Sequence, residues 1–124
     1  MPSSSLYEDT NERYYLQAQA DLDPTCRVLP SSAKEVAKIV KIAAEYQCQF
    51  AVASGKHFQI NRGSNIGREG FTIDLLYLNA MSVSKDKSVV SIGPGLRAGQ
   101  VYDYLDRYDL YTAVGRGKNI FYHL

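Results

Sequence analysis

The chain has no tryptophan, two cysteines and two histidines, and neither sign of charge dominates: 14 Lys and Arg face 13 Asp and Glu, a net charge of +1. Each scarcity excludes something. Evenly mixed charge leaves no electrostatic footprint for nucleic acid or an anionic membrane. No apolar run reaches the roughly 18 residues of a membrane span. The start, Met1-Pro2-Ser3-Ser4-Ser5-Leu6-Tyr7, has no basic segment leading into an apolar one. The expectation for the chain as written is a cytoplasmic protein, or a secreted one if a leader has been removed. Cys26 and Cys48 form no C-x-x-C pair and have no histidine beside them, which argues against zinc. Both read as small, reduced core thiols at strand edges.

What is present describes a globular domain or part of one: 124 residues, 45% hydrophobic and 22% charged. The Ser-rich polar start, residues 1–13, reads as a flexible N-terminus. Asn11–Ala20 carries helix-forming residues, and Asp23-Pro24 stops it. Arg27–Leu29 reads as a short strand ended by Pro30. Ser32 and Glu35 then form a capping box that opens a helix, Ser32–Gln47. Val36, Ile39, Val40 and Ala43 make its apolar stripe, and Lys34, Lys38 and Lys41 its solvated face. Phe50–Ala53 is the next strand, expected beside the first and parallel to it. Thr72–Leu75 alternates as a strand should, and a hairpin follows with Val89–Ile92 as its second arm. A second helix spans Ala98–Tyr108, with Val101, Leu105 and Tyr108 on one face. Tyr111–Val114 closes the pattern as a last short strand. Ten tyrosines offset the missing tryptophan; Tyr102, Tyr104, Tyr108 and Tyr111 are candidates to line a cleft or, more simply, to pack. The fold class is α+β: two main helices on a mixed sheet.

The chemistry concentrates where the strand ending at Ala53 breaks into Ser54-Gly55-Lys56-His57, followed by Phe58 and by Gly63-Ser64-Asn65. Small residues at a strand end let backbone N–H groups turn outward and cradle an anion. His57 adds a titratable, nucleophilic ring beside that cradle. Asp74 is the other titrating candidate, and on a strand it reads as a structural hydrogen-bonder.

Five motifs in order resemble the N-terminal half of the FAD-binding domain of vanillyl-alcohol oxidase-type flavoenzymes. The fungal oxidases related to berberine bridge enzyme match best. The family's "P-x-S-A-x-x-V" helix start is similar to Pro30-Ser31-Ser32-Ala33-Lys34-Glu35-Val36. Its "Ser-Gly-Gly-His" loop is similar to Ser54-Gly55-Lys56-His57. Its "G-S-N-I", "G-x-T-I-D-L" and "L-N" segments resemble Gly63–Ile66, Gly70–Leu75 and Leu78-Asn79. Its "V-S-I-G-P-G" turn and following helix resemble Val90–Gly95 and the run through Leu105. The likeness covers residues 14–117 as an FAD-binding-like subdomain, with 118–124 a divergent tail. It implies FAD as cofactor, held by Ser54, Gly55, Lys56, His57, Phe58, Gly63, Ser64 and Gly115. It makes His57 the candidate for covalent attachment to the flavin. It also implies oxidation of a small organic substrate, in a fungal secondary-metabolism setting.

Two departures stand out: Lys56 replaces the second loop glycine, and after Gly115-Arg116-Gly117 the family's next glycine-rich stretch is missing. The chain therefore reads as a truncated member that binds FAD weakly when alone. The second class of function is a stand-alone, non-redox small-molecule binder or cyclase-like protein on the same scaffold. Either form is expected to self-associate as a homo-oligomer, because half a flavin domain leaves apolar surface uncovered.

Overall fold

Ser32 does cap a helix, its Oγ accepting the Glu35 N–H at 3.3 Å, while the Glu35 carboxylate reaches back to the Ser31 N–H at 2.7 Å. The computed structural model describes residues 4–113. Within them α1 is Ser5–Asn11, α2 is Gln17–Ala20, α3 is Ala33–Glu45 and α4 is Ala98–Asp106. The strands are β1 (Arg27–Val28), β2 (Gln49–Ala53), β3 (Gly70–Asp74), β4 (Met81–Val83) and β5 (Val90–Ile92). Helix α3 stops short of Gln47 because that residue turns left-handed, at φ 52°. The Cys48 N–H then bonds the Ala43 carbonyl at 2.8 Å and the Gln47 N–H the Ala44 carbonyl at 3.3 Å, a Schellman closure without its usual glycine.

The N-terminal segment, expected to be flexible up to residue 13, is helical from Ser5 and packed. Tyr7 and Thr10 are buried, and the Tyr7 hydroxyl donates to the Pro24 carbonyl at 2.8 Å. Local composition does not register such a tertiary contact. The expected Asn11–Ala20 helix is split in two. Asn11 ends α1 and spends its amide on the Ala20 carbonyl instead of continuing the helix.

The expected mixed sheet is two sheets. β1, β3 and β2 form a parallel sheet in that order, and β4 pairs with β5 as a separate antiparallel ribbon. The first two strands are therefore not neighbours: β3 lies between them, pairing Arg27 with Thr72 on one side and Ala53 with Asp74 on the other. β3 takes the centre because Thr72, Ile73 and Asp74 are all buried, as a strand covered on both faces must be.

Helix α4 covers the ribbon. Val101, Leu105 and Leu96 form a small core against Met81, Val83, Val90 and Ile92. Tyr108, expected on that face, is instead exposed and tilted against Tyr104 at 5.3 Å, and Leu110 packs in its place. Tyr111 is 93% exposed. Tyr111–Ala113 carry no strand, and Val114 lies outside the described residues. On α3 the stripe is covered only in part: Ala43 is buried and Val36 half-buried, but Val40 is 39% exposed, beside an exposed Ile42. Cys26 is half-buried and Cys48 exposed, so Cys48 is no core thiol.

The two sheets meet at the turn Gly93-Pro94-Gly95. A Cβ on Gly95 would lie 2.4 Å from the Leu75 carbonyl oxygen, so only glycine lets this backbone approach the end of β3. That approach brings the turn beside the loop after β2.

Candidate functional site

β2 delivers the chain to Ser54, whose hydroxyl donates to the Pro94 carbonyl and ties the loop to the turn before α4. Gly55 follows, buried, and then Lys56 at φ 61°, in the left-handed region that glycine occupies freely. The Lys56 side chain does not reach outward. It is 4% exposed, with Nζ 2.6 Å from Asp74 Oδ2 at the end of β3 and also donating to the Thr10 carbonyl.

Asp74 receives a second cation, Arg27 Nη1 at 3.7 Å, and both side chains are 1% exposed. Its other oxygen accepts the Leu76 N–H at 3.2 Å, opening a single 3-10 turn at Leu75–Tyr77. Asp74 is thus a structural bonder, as expected, and an ion partner too. Arg27 lies over the rings of Tyr7 and Tyr14, at 5.7 and 5.2 Å, and Nη2 donates to Asn65 Oδ1 at 2.9 Å. Its Nε is buried without a hydrogen-bond partner among the described residues.

One carboxylate therefore serves two buried cations. Burial pushes the Lys56 ammonium down to about 8, against the pull of Asp74 and with the help of Arg27 and Arg13. Burial also pushes the Tyr14 phenol up to about 12, with Arg27 opposing. Such an arrangement contributes little to stability compared with apolar packing. Its effect is to bury two positive charges against one negative charge at the loop residue Lys56 and the end of β3.

The return of the loop is held by Gln19. Its Nε2 donates to the Phe58 carbonyl at 2.6 Å, and its Oε1 accepts the Ser64 N–H at 2.8 Å. Asn65 then bonds back to the Gln19 carbonyl at 2.7 Å and accepts from Thr72 Oγ1 at 2.8 Å. Gly63 is needed here because a Cβ would fall 2.1 Å from the Phe58 ring.

The result is a cleft of about 310 Å³ lined by Val52, Ser54, Gly55, Lys56, Phe58, Gly63 and Ser64. Six of the eight sequence-predicted site residues meet in it. His57 is not part of its lining: the ring is half-buried and stacks on Tyr15, with centroids 4.2 Å apart. Gly115 lies outside the described residues. The sequence reading missed Gln19, Tyr14 and Arg27. A charged residue inside an otherwise apolar strand was a usable signal for Arg27, whereas Gln19 had none.

Among the described residues the N–H groups of Gly55 and His57 meet no acceptor. Two such donors at a strand end, on either side of a lysine that shares one carboxylate with a second buried cation, suit an anionic group such as a diphosphate. The sequence profile of the FAD binding domain family matches residues 24–120. The chain belongs to the FAD-binding-domain family. It is 33% identical over 114 residues to the FAD-dependent monooxygenase yanF of Aspergillus niger, covering 92% of this chain and 20% of that protein. To the FAD-dependent monooxygenase macF of Penicillium terrestre it is 39% identical over 94 residues, 76% of this chain and 18% of that one. The chain thus spans about a fifth of these relatives' length. Its fold matches 6-hydroxy-D-nicotine oxidase of Arthrobacter nicotinovorans at a TM-score of 0.79 and 23% identity, over 97% of this chain and 26% of that one. CrmK, a flavoenzyme of caerulomycin biosynthesis, matches at 0.82 and 18% identity, over 97% and 24%. For this FAD-binding-domain chain the fold class is α+β, a parallel three-stranded sheet with helices, matching part of the domain in those flavoenzymes.

Proposed function

We propose that the Ser54–Ser64 loop holds the diphosphate of FAD in an oxidoreductase that acts on a small organic molecule. The observation that carries this reading is the pair of N–H groups, Gly55 and His57, that meet no acceptor among the described residues and flank Lys56, whose buried ammonium shares one carboxylate with Arg27. Ser54 and Ser64 add hydroxyls at the cleft, and Phe58 an apolar wall. Bound FAD would supply the electron-accepting chemistry. The chain's own residues would bind the cofactor and orient it. His57 is the candidate for a covalent link, and its stack on Tyr15 fixes the direction of the imidazole. The relatives' names, FAD-dependent monooxygenases of fungi, support an FAD-linked oxidoreductase reading.

Titrating the protein with FAD and, separately, with riboflavin tests this, since riboflavin lacks the diphosphate. FAD is expected to bind at least ~10-fold more tightly, the difference of one or two charge-assisted hydrogen bonds. Equal affinity for the two, or no FAD binding by the folded protein, would favour the non-redox scaffold instead.

A further inference from the structure

Lys56 occupies a backbone conformation made for glycine and fills it with a long side chain turned into the protein. Four ties leave this one residue. Nζ meets Asp74 Oδ2 at 2.6 Å, donates to the Thr10 carbonyl, and lies 5.3 Å from the centre of the Tyr14 ring. The Lys56 carbonyl accepts the Tyr15 N–H at 3.0 Å, and the next residue, His57, lays its ring on Tyr15. Thr10, Tyr14 and Tyr15 all belong to the N-terminal segment, so Lys56 bolts that segment to the loop and to the end of β3 at once.

A residue present for stability alone would not be this one. A second cation beside Arg27, with only Asp74 to share, is less favourable than an apolar side chain of similar volume. Glycine would accept the left-handed backbone without strain. What lysine adds is a fixed loop and a charge under the N–H groups on either side of it.

We infer that Lys56 is a positioning residue: a buried tether that locks the turn so that the Gly55 and His57 N–H groups, backed by its charge, face an incoming diphosphate. The inference rests on the diphosphate reading above and assigns the geometry of that site to one side chain.

The test compares wild type with Lys56→Gly, Lys56→Met and Lys56→Arg, using two readouts. In the protein without cofactor, amide hydrogen exchange at Tyr15, whose N–H is held by the Lys56 carbonyl, is expected to speed at least tenfold in Lys56→Gly and Lys56→Met. Exchange within α4 should stay unchanged, and in Lys56→Met, which keeps the buried volume, the melting temperature should stay unchanged or rise. With FAD added, both variants are expected to bind at least tenfold more weakly than wild type, and Lys56→Arg to recover part of the loss. A purely structural lysine would lower the melting temperature and α4 protection together. Tyr15 exchange and FAD affinity equal to wild type in Lys56→Gly would overturn the inference while leaving the diphosphate reading intact. Failure of folded wild type to bind FAD would overturn both.

Discussion

Asp74→Asn is expected to lower the unfolding free energy by about 3–5 kcal/mol, the usual loss when one partner of a buried ion pair is removed. Asparagine keeps the shape and an oxygen for the Leu76 N–H, so the change isolates the charge. Arg27 and Lys56 would then sit 1% and 4% exposed with no carboxylate between them. Domains of this size hold only about 5–15 kcal/mol in total, so the variant should be close to unfolded at ordinary temperature. Denaturant midpoints measure it, with the exposed Asp86→Asn as control. Asp86 is held low, to about 2, by the hydroxyls of Ser84 and Ser88 in the β4–β5 turn, and its loss should barely move the midpoint. An Asp74→Asn midpoint as high as the control's would contradict the picture of one carboxylate carrying two cations.

Stability should rise as pH climbs from about 8 to about 10.5, provided Lys56 is present. Its folded pKa lies near 8 and its unfolded value near 10.5. Between those values the unfolded chain holds a proton that the folded one has released. The penalty for a buried ammonium is thus fully present below pH 8 and fades above it. At 1.36 kcal/mol per unit the full effect is about 3 kcal/mol. The groups facing Lys56 are Asp74 from β3, Arg27 from β1, and Arg13 and Tyr14 between α1 and α2. Tyr14 acts in the opposite sense at higher pH: its phenol is raised to about 12, so the unfolded chain ionises first and stability falls between about 10 and 12. Subtracting the Lys56→Met profile removes that contribution. The difference should move in favour of wild type from pH 8 to 10.5. A flat difference would mean that the ammonium is not penalised by its burial.

Much of this architecture was legible in local sequence. Ser32 with Glu35 announced α3, the alternation in Thr72–Leu75 announced β3 though Leu75 itself falls in the turn after it, and Gly93-Pro94-Gly95 marked the end of the ribbon. Strand order was not legible, because β1 is two residues long and nothing in Arg27-Val28 says which strand it will touch. That β3 must be central follows only once Thr72 and Asp74 are known to be buried, polar residues that local patterning assigns to the surface. The cleft residues were readable from their small size and their place at a strand end. The brace behind them was not, since Thr10, Tyr14 and Gln19 reach the loop across 39 to 50 positions of chain. Lys56 read only as a departure from the second loop glycine among the cofactor-binding residues. Its burial depends on Asp74, 18 positions away, a pairing no local pattern discloses.

The proposed diphosphate site is Gly55–His57 and not another depression on this fold. A second depression, about 560 Å³, is lined by Arg13, Leu76, Asn79, Gly95, Arg97 and Gln100 and also offers two arginines. Titrating isotope-labelled protein with ADP, while following each backbone amide by NMR, separates the two directly. Saturable shifts are expected to be largest at Gly55 and His57, with smaller ones at Ser54 and Ser64, and none in the β4–β5 turn at Asp86. Shifts centred on Arg97 and Gln100, with Gly55 and His57 unmoved, would contradict it.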